Sequence, residues 1–256
     1  MKIIEFFGIS GSGKTSIKNR LFKKIQNKSK SCYDYKEILI KFLPLEEKSL
    51  SKRLILKTYL NLKSNKKKIS KIFQKNLILK QNEIIKKNTY NKLKSNVINL
   101  YLKRLEYFFK RNREKKILKR SIQLIKNSNF SENSKKIYLR WITEELLALY
   151  LIKKHKKKLD FIVDSEGLLQ RIFIYAYNKK DKKKIIRQYL KICPMPTLVL
   201  VTKNKNFIKK KIPNQLKMNI LEQKKIYNAA LSVFKELGVN YKEVSLKNID
   251  QINKNF

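Results

Sequence analysis

Three of the chain's five glycines fall within eight residues, in the run GISGSGKT from Gly8 to Thr15. The flanking segments decide what that register means. Upstream, KIIEFF (residues 2–7) is a short apolar run that ends at Gly8, the pattern of a buried strand. Downstream, Ile17, Leu21, Phe22 and Ile25 recur at helical spacing as far as about Gln26. The glycine run therefore joins a strand to a helix, the setting that a phosphate-cradling loop requires. Its match to G-x-x-x-x-G-K-S/T is complete. The glycines let main-chain N–H groups turn inward around phosphate oxygens without Cβ obstruction. The helix adds unpaired N–H groups and the positive end of its dipole. A plain glycine turn before a helix needs neither the Lys14 ammonium nor the Thr15 hydroxyl.

Strand–helix alternation returns late in the chain. LDFIVD (159–164) reads as a strand ending in an acid, and SEG leads from it into a helix bearing LLQRIFIYAY. TLVLVT (197–202) is the next strand, the span 219–237 a helix closed by Gly238, and NYKEVSL (240–246) a last strand. An early second strand has two candidates, SCYD (31–34) and EILIKF (37–42), and the latter reads equally as helix. Between about Leu45 and Lys158 no strand is evident. Ile69, Ile72, Phe73 and Leu77 keep helical spacing there, as do Val97, Tyr101, Leu105, Phe108 and Phe109. A third set is Ile137, Trp141, Ile142, Leu146, Leu149 and Tyr150. The expected organisation is one domain over residues 1–256 with a helical insertion at 46–158, built on a mostly parallel sheet.

Charge sets a background without naming a partner. The chain carries 63 basic residues against 19 acidic ones, a formal +44, and only nine of the 63 are arginine. Such a field attracts polyanions. Recognition of phosphates or bases favours the planar fork of arginine, whereas lysine excess with many Asn, Ile, Tyr and Phe also follows from A/T-rich codons. Nucleic acid is therefore a partner that the charge allows and no helicase or RNA-recognition motif supports. The longest apolar run, Leu146 to Ile152, falls far short of the ~20 residues that span a bilayer. No secretory leader is read at the start, and Cys32 and Cys193 form neither a metal-ligand spacing nor a disulfide framework. A reduced, cytoplasmic protein is expected.

The chemistry is expected at two places. In the loop, Lys14 would meet the β- and γ-phosphates of a nucleotide and the Thr15 hydroxyl would ligate Mg²⁺. Asp164, at a strand terminus, is the second candidate metal ligand, direct or through water. Glu166 is placed to orient or deprotonate an acceptor hydroxyl, or else decorates the first turn of a helix. Gly167 suggests a tight backbone bend. Arg171, a helical turn further on, either clamps an acceptor phosphate or pairs with Glu166 or Asp164. Lys203, Lys205, Lys209, Lys210 and Lys211 form a basic stretch where a lid would lie, or else a solvated surface. His155, the only histidine, has no evident partner.

IIEFFGISGSGKT, VDSEGLLQR and the closing strand–lid–helix–strand series together resemble the P-loop nucleoside and nucleotide kinases. The layout is nearest to thymidylate-kinase-like proteins and similar to P-loop proteins encoded among surface-polysaccharide genes. The likeness covers about the first 30 residues and 160–246. It implies a three-layer α/β P-loop fold, ATP and Mg²⁺ as cofactors, and phosphoryl transfer to a small-molecule acceptor. Nucleotide binding then falls to Gly8, Ser10, Gly11, Ser12, Gly13, Lys14, Thr15 and Ser16; metal binding to Thr15 and Asp164; catalysis to Lys14, Asp164, Glu166 and Arg171. Two departures matter. Thymidylate kinases carry an Asp-Arg pair where this chain has Asp164, Ser165 and Glu166, and the stretch 203–211 lacks their lid arginines. The acceptor's identity does not transfer. The rival readings are a nucleic-acid-binding NTPase and a nucleotide-gated interaction protein.

Overall fold

The structure is a computed structural model that describes residues 1–28, 31–46, 49–51, 53–54, 113–202, 220–246 and 248–249. The chain divides into two compact units, one formed by Met1–Tyr35 with Arg113–Phe256 and the other by Lys36–Asn112. In the second unit the described residues include α2 (Tyr35–Phe42, its first residue belonging to the first unit) and a 3₁₀ turn at Leu43–Glu46. The spacing of Ile38, Leu39 and Phe42 suits that helix. The two helical stretches expected around Ile69–Leu77 and Val97–Phe109 lie outside the described residues, as does the lysine stretch 203–211.

The first unit is built on a five-stranded, wholly parallel sheet in the order β2-β3-β1-β4-β5. Its strands are β1 (Lys2–Phe7), β2 (Cys32–Tyr33), β3 (Phe161–Asp164), β4 (Leu198–Thr202) and β5 (Tyr241–Val244). Of the two early strand candidates, the first forms β2 and the second is helix. β1 is central. It pairs with β3 from Lys2↔Phe161 to Glu5↔Asp164, and with β4 from Ile4↔Leu198 to Phe7↔Val201. The chain leaves β1 toward one side of the sheet and later returns to its other side. The carboxyl end of β1 is thus a switch point, where open α/β sheets place ligands.

Helices follow the strands. They are α1 (Lys14–Gln26), α3 (Arg113–Lys126), α4 (Glu132–Lys154), α5 (Ile172–Tyr175), α6 (Lys182–Ile192) and α7 (Ile220–Glu236). Ser131 caps α4 by accepting the Ser134 N–H, and Asp181 caps α6 through the Lys184 N–H. Alternation along β1 separates the faces of the sheet. On one face Ile4 and Phe6 join Phe161, Val163, Leu198 and Leu200 beneath Ile17, Leu21 and Ile25 of α1. On the other Phe7 stacks on Phe173 of α5 and on Tyr227 of α7, and meets Phe234 edge-on. This is the arrangement of a three-layer α/β fold. The third expected helical stretch is α4; it packs on α3, and both belong to the unit that holds the sheet. Among the described residues no helix is long and apolar enough to cross a membrane.

Candidate functional site

The segment after β1 turns back on itself before α1 begins. Gly11 and Gly13 adopt left-handed backbone, with φ of 83° and 82°, a region open to glycine at little cost. Gly8 is needed for a different reason: a Cβ there would lie 2.1 Å from Thr202 Oγ1. Five side chains hold the loop. Lys14 Nζ donates to the carbonyls of Gly8 (2.8 Å) and Ile9 (2.9 Å). Gln170 accepts the Gly8 N–H at Oε1 (3.3 Å) and donates from Nε2 to the Gly8 carbonyl (2.8 Å). Gln223 of α7 accepts the Ser10 N–H (3.1 Å), and the hydroxyls of Ser12 and Thr202 are 2.6 Å apart. The outcome is a preset loop with its open side at the start of α1. No side chain caps that helix. Among the described residues the N–H groups of Lys14, Thr15 and Ser16 have no acceptor, and the Thr15 and Ser16 side chains are exposed.

Lys14 is buried, and burial pushes its pKa down to about 8, opposed by the charge of Glu166. An ammonium seated on two carbonyls keeps its third N–H for a ligand. An anion set there would restore the charge that burial disfavours. Asp164 is half-buried at the end of β3. Its Oδ2 accepts the Tyr35 N–H (2.9 Å) and its Oδ1 the Glu166 N–H (2.8 Å), which leaves one lone pair on each oxygen. Its pKa is raised, by burial first and then by the charge of Asp34. Glu166 is exposed and electrostatically coupled to Lys14, so the acid-bearing segment and the loop share one region. No group of three His, Cys, Asp or Glu that could cage a metal exists among the described residues. One carboxylate and one hydroxyl nevertheless suit Mg²⁺, which keeps most of its water and is completed by substrate phosphates.

Arg171 is engaged elsewhere. Its Nε donates to both Glu145 oxygens (2.9 and 3.1 Å), its guanidinium closes a second bond to Glu145, and it lies 4.8 Å above the Trp141 ring. It also donates to the Glu166 carbonyl (3.0 Å), not to the carboxylates of Glu166 or Asp164. Burial drives Glu145 up, the guanidinium opposes that shift, and the fork-to-fork geometry is that of an ion pair. Gly167 departs from its expected role as well. Its backbone is extended, and the glycine provides room, because a Cβ would fall 2.3 Å from Glu5 Cδ. That carboxylate is buried in β1, accepting the Tyr35 hydroxyl (2.5 Å) and the Leu169 N–H (3.1 Å). Glu5, Tyr35, Glu145, Gln170, Thr202 and Gln223 were not anticipated from the sequence. Only Glu5 left a signal there, as a charge inside an apolar strand.

A cavity of about 290 Å³ lined by Ile3, Glu5, Tyr35, Leu149, Ile152 and Met195 holds none of the glycine-loop residues. His155 is the C-cap of α4. Comparison with protein-family models finds no match, and neither does comparison with curated proteins.

Proposed function

We propose that this protein is a P-loop phosphotransferase, binding ATP with Mg²⁺ at the 8–16 segment and transferring a phosphoryl group to a small-molecule hydroxyl or phosphate. One observation carries the reading: a buried lysine, aimed by two carbonyls, stands beside three N–H groups at a helix start that have no acceptor among the described residues. Each is a donor prepared for an anion with several oxygens. In this reading the N–H groups of Lys14, Thr15 and Ser16 and the Lys14 ammonium take the phosphate oxygens. The Thr15 hydroxyl and Asp164 would hold Mg²⁺, which supplies charge neutralisation across the phosphates. Glu166 receives the proton of an acceptor hydroxyl at its exposed carboxylate. The protein's part is mainly to position and to support charge.

Lys14→Ala is expected to abolish Mg·ATP binding by calorimetry while the far-ultraviolet dichroism stays that of the wild type. Retained binding would remove the loop from the mechanism. Incubation with labelled ATP and fractionated extract should reveal a phosphorylated metabolite. Glu166→Gln should then slow its formation at least about tenfold with little change in ATP affinity. A loss confined to affinity would contradict the role given to Glu166.

A further inference from the structure

We infer that Gln170 is a positioning residue of the glycine loop: by bonding both main-chain groups of Gly8 it fixes the carbonyl on which the Lys14 ammonium is seated. This rests on the nucleotide reading above and concerns the same site.

Gly8 is the first residue beyond β1, where the pairing with β3 has already ended at Glu5↔Asp164. Past Asp164 the chain turns away, so Gly8 lacks a strand neighbour on that side. Gln170 takes the neighbour's place. Its amide accepts the Gly8 N–H at 3.3 Å and donates to the Gly8 carbonyl at 2.8 Å. A primary amide offers a neutral donor and an acceptor in one plane. Gln170 is itself held at several points. The Leu169 N–H is bound to Glu5 (3.1 Å), the Gln170 N–H to the Gly167 carbonyl (3.0 Å), and the Glu166 carbonyl to Arg171 (3.0 Å).

The consequence falls on Lys14. The Gly8 carbonyl accepts two donors, Gln170 Nε2 and Lys14 Nζ, both at 2.8 Å, which uses both lone pairs. The Ile9 carbonyl likewise accepts Lys14 Nζ (2.9 Å) and the Ser12 N–H (3.1 Å). Each carbonyl under the ammonium is therefore anchored by a donor other than the lysine. A lysine on a flexible four-carbon stem has no preferred place for its charge. Here its place is set by Gln170 on one side and by the loop's own turn on the other. Without Gln170, the Gly8 carbonyl would be free to tilt and would belong to Lys14 alone. The ammonium would then be held more firmly by the protein and aimed less well at a ligand.

The test is calorimetry of Mg·ATP and Mg·ADP binding to the full chain, with thermal unfolding of each variant alongside. An ammonium aimed at the β- and γ-phosphates discriminates between the two nucleotides. Gln170→Met keeps the length and removes both bonds. It should weaken Mg·ATP binding about tenfold and narrow the preference over Mg·ADP. Gln170→Glu keeps the acceptor for the Gly8 N–H but sets a carboxylate beside Lys14. It should weaken Mg·ATP binding at least as much, and it serves as the test if the Met variant does not fold. A variant with a lower melting temperature but wild-type affinity and nucleotide preference would show a purely structural residue and overturn the inference. Absence of Mg·ATP binding by the wild type would defeat the nucleotide reading and this inference with it. Binding by the wild type that the variants match defeats the inference alone.

Discussion

Glu5 is a carboxyl group with almost no access to water. It is 1% exposed, and burial pushes its pKa up to about 7, against the hydrogen bonds from Tyr35 and Leu169. The sign of the consequence follows from linkage. The folded state holds this proton more tightly than the unfolded chain, so its stabilising contribution is complete below about pH 4.5. That contribution is lost as pH rises through about 7. Glu5→Gln removes the titration while its amide still serves Leu169 and Tyr35. The variant should therefore gain on the wild type between pH 5 and pH 8, by up to about 3 kcal/mol in urea unfolding. An equal difference at both pH values would mean that Glu5 is ionised throughout. Neither neighbour of Glu5 in the network is close in sequence, since Tyr35 lies 30 residues away and Leu169 lies 164 away.

The loop between β1 and α1 behaves as an element in its own right, defined by what it cannot accommodate. Alanine at Gly8 would bring a Cβ to 2.1 Å from Thr202 Oγ1 and 3.0 Å from Ser12 Oγ. Gly8→Ala should cost about 2 kcal/mol or more in unfolding free energy. Adding Thr202→Ala should recover part of it, because the second change removes the oxygen in conflict. No recovery would place the strain in the backbone instead. At this scale the sequence was largely legible. The strand, glycine register and helix over residues 2–26 follow from local spacing, and the β3 and β4 assignments needed only small trimming. The run LLQRIFIYAY was less transparent. It begins as a 3₁₀ turn at Leu168–Arg171 before the short helix α5, since Leu169 and Gln170 are tied to β1 and its loop. Apolar periodicity carries no trace of those ties.

Across the whole molecule acids are scarce, and several of the described ones are committed to ion pairs. Glu145 holds Arg171, Glu236 holds Arg187, Glu222 holds Lys182 and Asp34 holds Lys18. The Glu145–Arg171 pair joins α4 to the segment after β3, with both side chains under 9% exposed. Arg171→Met would leave a buried carboxylate uncompensated and should cost about 3–5 kcal/mol. Arg171→Met with Glu145→Leu should regain most of that stability in thermal unfolding. If the double variant is stable and still transfers phosphate, the guanidinium is structural and Arg171 leaves the catalytic set. If it is stable and inactive, Arg171 serves the reaction as well.

The strand–loop–helix unit, with Lys14 and Thr15 at its turn and an acid closing a later strand, could be read from the sequence because each depends on neighbours a few residues away. Tertiary structure alone decided what holds that unit in shape. Gln170 and Gln223 reach Gly8 and Ser10 across 162 and 213 residues, and Arg171 chose Glu145 over the nearer acids. Hydrogen bonds and ion pairs depend on distance in space, and packing brings together groups that no spacing along the chain relates.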